Sequence, residues 1–266
     1  MPGGACSLIR SLRAVGSCGI KTIRKRLYAR IYLRNLKGKK GLEIGGPSSI
    51  FKSDGILPIY QVISSLDGCN FANETIWEGK IRTGWNYQYL KERELGYQYI
   101  SDAVDLNQIK SNSYDFILSS HNIEHIANPL KALAEWTRVL KDSGLLMLVV
   151  PDKNGTFDHN RPLTSLKHLI DDFEKDICED DLTHLNEILD LHDFRMTPEI
   201  SDKNAFRRRS LDNYSNRCLH HHVFDTELVL AVLAYFDLEL ISCDFILPFN
   251  IVVLARCTKQ PKADKV

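Results

Sequence analysis

Gly41-Leu42-Glu43-Ile44-Gly45-Gly46-Pro47-Ser48-Ser49 is a short apolar run that reaches an acid and then breaks into a glycine-containing turn. Lys40–Gly45 reads as a strand, and the small residues after it let backbone approach a neighbour closely. On these residues alone two readings stay open. The turn is either the mouth of a ligand site or a tight reversal carrying a surface glutamate.

Outward from this turn the pattern alternates strand and helix. Tyr60–Asp67 reads as a second strand closing on an acid, Tyr97–Ser101 as a third and Tyr114–Ser120 as a fourth. Asn128 followed by Pro129 is an N-cap with proline at the first helical position, and Gly144 is expected to end that helix. Leu145–Val150 is a continuous apolar run, as expected of a fifth strand buried on both faces. Residues 151–222 break the rhythm with a polar, His-rich insertion and two expected helices, Leu163–Glu174 and Leu182–Leu191. Asp225 then caps a helix to Phe236, and Leu238–Phe245 with Asn250–Arg256 lie too close for a crossover, so they form an antiparallel hairpin. The expected fold is α/β: a doubly wound, seven-stranded, mostly parallel sheet with an antiparallel last strand and a helical insertion after strand five. Ligands of such sheets sit at the carboxyl ends of the strands, near the topological switch point.

The 266 residues are enough for one such domain, and charge is divided unevenly along them. No acid precedes Glu43, whereas eleven of the 34 Lys/Arg do, leaving 23 against 34 Asp/Glu, a net of −11. The expected organisation is a basic helical arm (1–39), a domain (40–257) with an acceptor-binding lid (151–222), and a tail (258–266). The arm has three readings: a helix packing Ile20, Ile23, Leu27, Ile31 and Leu36, a peripheral anchor for anionic lipid, or a transit peptide. An acidic body repels phosphates, which argues against a nucleic-acid partner. Seven scattered cysteines without a CxxC pair read as reduced thiols. The expected location is cytoplasmic, with peripheral membrane contact through the arm; oligomeric state is open.

Further motifs follow in order: Ser101-Asp102-Ala103-Val104-Asp105-Leu106, Tyr114-Asp115-Phe116-Ile117, His121, Ile123-Glu124-His125-Ile126-Ala127-Asn128-Pro129, Arg138-Val139-Leu140-Lys141 and Gly144. With the Glu43 turn they resemble the class I S-adenosylmethionine-dependent methyltransferases of the type 11 group, over roughly residues 40–150. The resemblance implies S-adenosylmethionine as cofactor. It implies that Glu43, Gly45 and Gly46 meet its methionine moiety, Asp67 its ribose, Asp102 and Ala103 its adenine, and Ser119, Ser120 and His121 its sulfonium. Two departures stand out: Pro47–Ser48 occupies the third glycine position, and Ser143–Gly144 carries one glycine where the family has a pair. EIGGPS (43–48), DGCNF (67–71), TIWEG (75–79) and the His-rich insertion are similar to bacterial methyltransferases associated with surface polysaccharides.

Methyl transfer to a hydroxyl needs positioning and a base. The expected reaction is O-methylation of a saccharide or other small hydroxylated acceptor. Alternatives are a small metabolite, a lipid head group, or a binding protein that kept the fold without turnover. The candidate catalytic residues are His159 beside Asp158, and His221. His125 reads as packing under the helix start, and Arg217 with Arg207–Arg209 as a solvated charged face or as partners for acidic sugars or phosphates. No metal site is assigned: His220 and His222 with Asp180, Asp181 or His184 match no known ligand spacing. The aromatics of 71–99 either stack on a ligand or form a satellite core.

Overall fold

The computed structural model describes residues 29–197, 200 and 202–259. Residues 29–36 are helical (α1) and precede β1 (Lys40–Ile44). The remaining strands are β2 (Ser65–Asn70), β3 (Glu74–Thr75), β4 (Gly79–Lys80), β5 (Gly84–Tyr87), β6 (Gly96–Ile100), β7 (Tyr114–Ser120), β8 (Leu140–Pro151), β9 (Glu239–Ile246) and β10 (Asn250–Cys257). Helices α2 (Pro129–Val139), α3 (Leu166–Glu174), α4 (Leu185–Leu191), α5 (Lys203–Leu211), α6 (Asn213–Asn216) and α7 (Thr226–Tyr235) complete the fold. The main sheet has eight strands in the order β5-β6-β2-β1-β7-β8-β10-β9, and β3 pairs with β4 separately. Pairing is parallel from β6 through β8 and antiparallel at both ends. The chain builds outward from β1 through β2 and β6, then returns to lay down β7 and β8. The β1–β7 boundary is therefore the switch point, where ligands of this architecture bind.

The doubly wound reading holds, with an eighth strand at the edge. β5 carries little sequence signal, because Gly84-Trp85-Asn86-Tyr87 is short and has little apolar alternation. Alternation along β7 and β8 makes two cores. Tyr114, Ile117, Leu146, Leu148 and Val150 face α2 and α7, whereas Phe116, Leu118, Leu145, Met147 and Val149 face α1 and the 50–63 segment. This two-sided burial explains the continuous apolar run at 145–150.

Several boundaries differ from expectation. The second strand is Ser65–Asn70, and Tyr60 lies in a 3-10 turn, Ile59–Gln61, after Pro58. Helix α2 keeps its Asn128 cap and Pro129 but stops at Val139, because Leu140 is already extended (ψ 142°) and opens β8. Helix α3 starts at Leu166, where the Ser165 side chain accepts from the His168 N–H. Helix α4 starts at Leu185. Asp225 caps α7 as expected, accepting from the Leu228 N–H at 2.8 Å.

The described part of the expected arm belongs to the domain. Ala29, Tyr32 and Leu36 are buried, and the Tyr32 hydroxyl donates to Asp244 Oδ2 at 2.5 Å. Leu36 packs as expected and Ile31 is half-buried; Ile20, Ile23 and Leu27 lie outside the described residues.

Regular βα alternation fails in the first half, since neither 45–64 nor 101–113 contains an α-helix. Helix α2 braces the second of these connections. Trp136 Nε1 donates to the Ala103 carbonyl, Arg138 to the Leu106 and Ile109 carbonyls, and Glu135 accepts from the Leu106 N–H. Removing Arg138 strands those carbonyls. Arg138→Met should therefore cost about 2 kcal/mol in denaturant unfolding, with Lys restoring less than half because it lacks the planar fork.

Candidate active site

Strand parity sends Leu42 and Ile44 to the α2 face and Glu43 to the opposite one, where Tyr60 and Tyr87 lie. Glu43 is fully buried. Its Oε2 accepts from the Tyr60 and Tyr87 hydroxyls at 2.6 and 2.7 Å, and its Oε1 from the Ser48 N–H at 3.0 Å. Burial pushes its pKa above the ordinary value, against the hydrogen bonds from Tyr60, Ser48 and Tyr87. Glu43 thus holds the 45–48 turn from beneath rather than facing a ligand. Gly46 serves the same packing: a Cβ there would lie 2.2 Å from the Glu43 carboxyl and 2.5 Å from the Tyr87 hydroxyl. Gly45 has φ +77°, a left-handed conformation that favours glycine.

Above this turn opens a cavity of about 840 Å³ at the carboxyl ends of the strands, within the range of small-molecule sites. Gly45, Asp102, Ala103, Ser120 and His121 line it; Glu43, Gly46, Asp67 and Ser119 do not. Asp67 is corrected in position as well as exposure. It sits inside β2, where it accepts from the Tyr97 N–H at 2.8 Å and the Tyr114 hydroxyl at 2.7 Å. The strand ends at Asn70, which lines the cavity and donates to the Gly46 carbonyl at 3.0 Å. His121 stands at the end of β7 with φ 49°, its Nε2 2.8 Å from Asn250 Oδ1. A non-glycine residue in this region stores strain of the kind that gathers at functional sites.

Residues of the insertion roof the cavity. Arg217, read from sequence as a solvated charge, is largely buried and bridges Asp102 Oδ2 (2.9 Å) and Glu179 Oε2 (3.0 Å). It also lies over the Phe71 ring. The aromatics of 71–99 divide between the two readings. Phe71 and Trp77 line the cavity, Tyr87 and Tyr89 are core, and Trp85 is exposed.

The histidines fall differently from expectation. His159 and His221 do not line the cavity. His159 pairs with Asp193 at 3.1 Å, and His221 is buried against Asn213 at 2.9 Å, its pKa lowered by burial to about 4. Asp158 faces His220 instead, 2.5 Å from its Nδ1, and takes 3.1 Å from Arg161. Burial alone would raise the Asp158 pKa, but His220 and Arg161 hold it at about 2. His220 lines the cavity with Glu124 and His125. The three neighbouring histidines differ only in which tertiary partner meets each ring, so the sequence carries no signal to rank them. A second histidine group, His168, His184 and His222, gathers in the insertion without Asp180 or Asp181.

Residues 84–148, from β5 into β8, match the family model described as a methyltransferase domain. Fold and match together support an S-adenosylmethionine-dependent methyltransferase. Similar folds include a protein from Pyrococcus horikoshii OT3 (15% identity over 88% of this chain and 90% of that one, TM-score 0.46). Others are S-adenosylmethionine-dependent methyltransferases from Aquifex aeolicus (13% identity, 86% and 88% covered, TM-score 0.44) and Methanosarcina mazei (15% identity, 86% and 98% covered, TM-score 0.46). No curated protein matches the sequence. No helix among the described residues is long and apolar enough to cross a membrane.

Because Glu43 carries the turn, Glu43→Gln should cost about 2 kcal/mol, and Gly46→Ala at least as much through the clash. Both should weaken cofactor binding, measured by calorimetry on the folded fraction, without either residue touching the ligand.

Proposed function

We propose that the chain moves a methyl group from S-adenosylmethionine to a hydroxyl of a small, saccharide-like acceptor. The observation that carries this reading is one cavity lined by two chemically distinct groups of residues. One group, with Gly45, Asn70, Asp102, Ala103 and His121, suits a nucleoside and a charged sulfonium tail. The other, with Glu124, His125 and His220 beside Phe157 and Trp77, suits a hydroxylated ring: aromatics for its apolar face and polar groups for its oxygens. Transfer forms an O–CH3 bond as the S–CH3 bond breaks. The electron pair stays on sulfur, and the acceptor proton leaves into the polar end. The polysaccharide-type sequence resemblance supports the saccharide class. The basic arm completes the proposal as a contact for anionic membrane, where lipid-linked glycans sit.

Calorimetry tests the cofactor end. S-adenosylmethionine should bind the full chain, and Asn70→Ala and Asp102→Ala should each weaken it about tenfold, the worth of one lost hydrogen bond to a bound group. Asp67→Asn should leave affinity unchanged in the folded protein. Absence of binding would favour a binding protein without turnover. A panel of hydroxylated acceptors assayed for transferred methyl then identifies the class; amine-only transfer would sink the O-methylation reading.

Removing residues 1–28 should release the protein from anionic vesicles and leave cofactor affinity intact. A longer deletion is uninformative, since Tyr32 and Leu36 are core. Vesicle binding that survives the deletion would overturn the anchor.

A further inference from the structure

We propose that Glu124, His125 and His220 form a divalent-cation site at the acceptor end of the cavity. A carboxylate oxygen of Glu124 and one ring nitrogen from each histidine lie within 4.8 Å of one another. Two imidazoles and a carboxylate on one side, with open cavity on the other, are a common set for a catalytic cation. They leave positions for water and for a substrate oxygen.

The surroundings of the three groups fit this use. His125 Nδ1 lies 3.1 Å from the Leu219 carbonyl, so that nitrogen carries the proton and Nε2 keeps its lone pair. His220 Nδ1 is held by Asp158, which likewise leaves Nε2 as the free donor. Metal-binding histidines recurrently anchor their second nitrogen on a backbone carbonyl or a carboxylate, and here one of each is present. Glu124 adds an independent observation. Its side chain is buried, and Oε2 has no hydrogen-bond partner. An unpaired buried carboxylate oxygen is costly, and a cation between it and two imidazoles would satisfy it. Glu124 and His125 come from the 3-10 turn Ile123–His125, and His220 from the insertion, so the site forms only when the insertion is docked.

The inference rests on reading this end as the acceptor end. A cation there would hold the acceptor oxygen and lower its pKa, as a bound metal does for water. The O–H proton then passes to cavity water as the methyl group moves from sulfur to oxygen.

Trp77 provides a local probe, its ring centroid 5.5 Å from that of His125. After dialysis against a chelator, the full chain is titrated with Co²⁺ while tryptophan emission is followed. Saturable quenching that is largely lost in Trp77→Phe is expected. Glu124→Gln, His125→Gln and His220→Gln should each weaken Co²⁺ binding at least tenfold, and Asp158→Asn about tenfold through His220. All should keep S-adenosylmethionine affinity within about twofold, which also reports that they fold. Unchanged Co²⁺ affinity in the His125→Gln/His220→Gln double variant would overturn the site, leaving the His168–His184–His222 group as the ligand set. Quenching without any binding of S-adenosylmethionine would keep the cation site and overturn the proposed reaction.

Discussion

A buried carboxylate at the end of the first strand organises this protein. Taking Glu43 out of water costs several kcal/mol, and two tyrosine hydroxyls with one backbone N–H offset it. Those donors come from separate parts of the chain: Tyr60 before β2, Tyr87 on β5, and Ser48 in the turn itself. Satisfying one buried carboxyl therefore ties the edge strand, the β1–β2 connection and the 45–48 turn together. Gly46 and Gly68 follow from the same packing, because a Cβ at Gly68 would lie 2.3 Å from the Tyr87 ring.

The second organising element is the insertion, which is held by charge and roofs the cavity through Thr156, Phe157, Glu179, Arg217 and His220. Arg161 is buried and donates to the carbonyls of His220 and His221 while pairing with Asp158 and Glu187. Arg217 ties the same region to Asp102 at the end of β6. Arg161 thus braces the insertion internally around His220, and Arg217 sets where the roof meets the sheet. Planar bidentate donors suit this work because they order several acceptors at once.

The sheet was largely legible because its signals are local. Period-2 alternation, the Asn128–Pro129 and Asp225 caps, and the short gap before the last hairpin each need only neighbouring residues. The misplaced second strand shows the limit. Tyr60–Asp67 is the more apolar stretch, yet pairing with β1 and β6 places the strand at Ser65–Asn70. That shift moved the strand end from Asp67 to Asn70. The edge strand β5 was missed for a related reason: it is four residues long and is held by β6 rather than by its own pattern.

By itself the sequence determined the α/β class, the switch-point location and the ordered motifs that lead to a methyltransferase. The class and the switch point depend on periodicity and connection length, which are properties of the chain, and the methyltransferase reading on the resemblance of the ordered motifs to a family. Which side chains face the cavity was decided only in three dimensions. Glu43 turns away because its neighbours on that face are tyrosines. His220 rather than His159 or His221 reaches the site because Asp158 and Arg161 hold it there. Adjacent residues of one type look alike in a sequence, and only the partners brought from distant segments tell them apart.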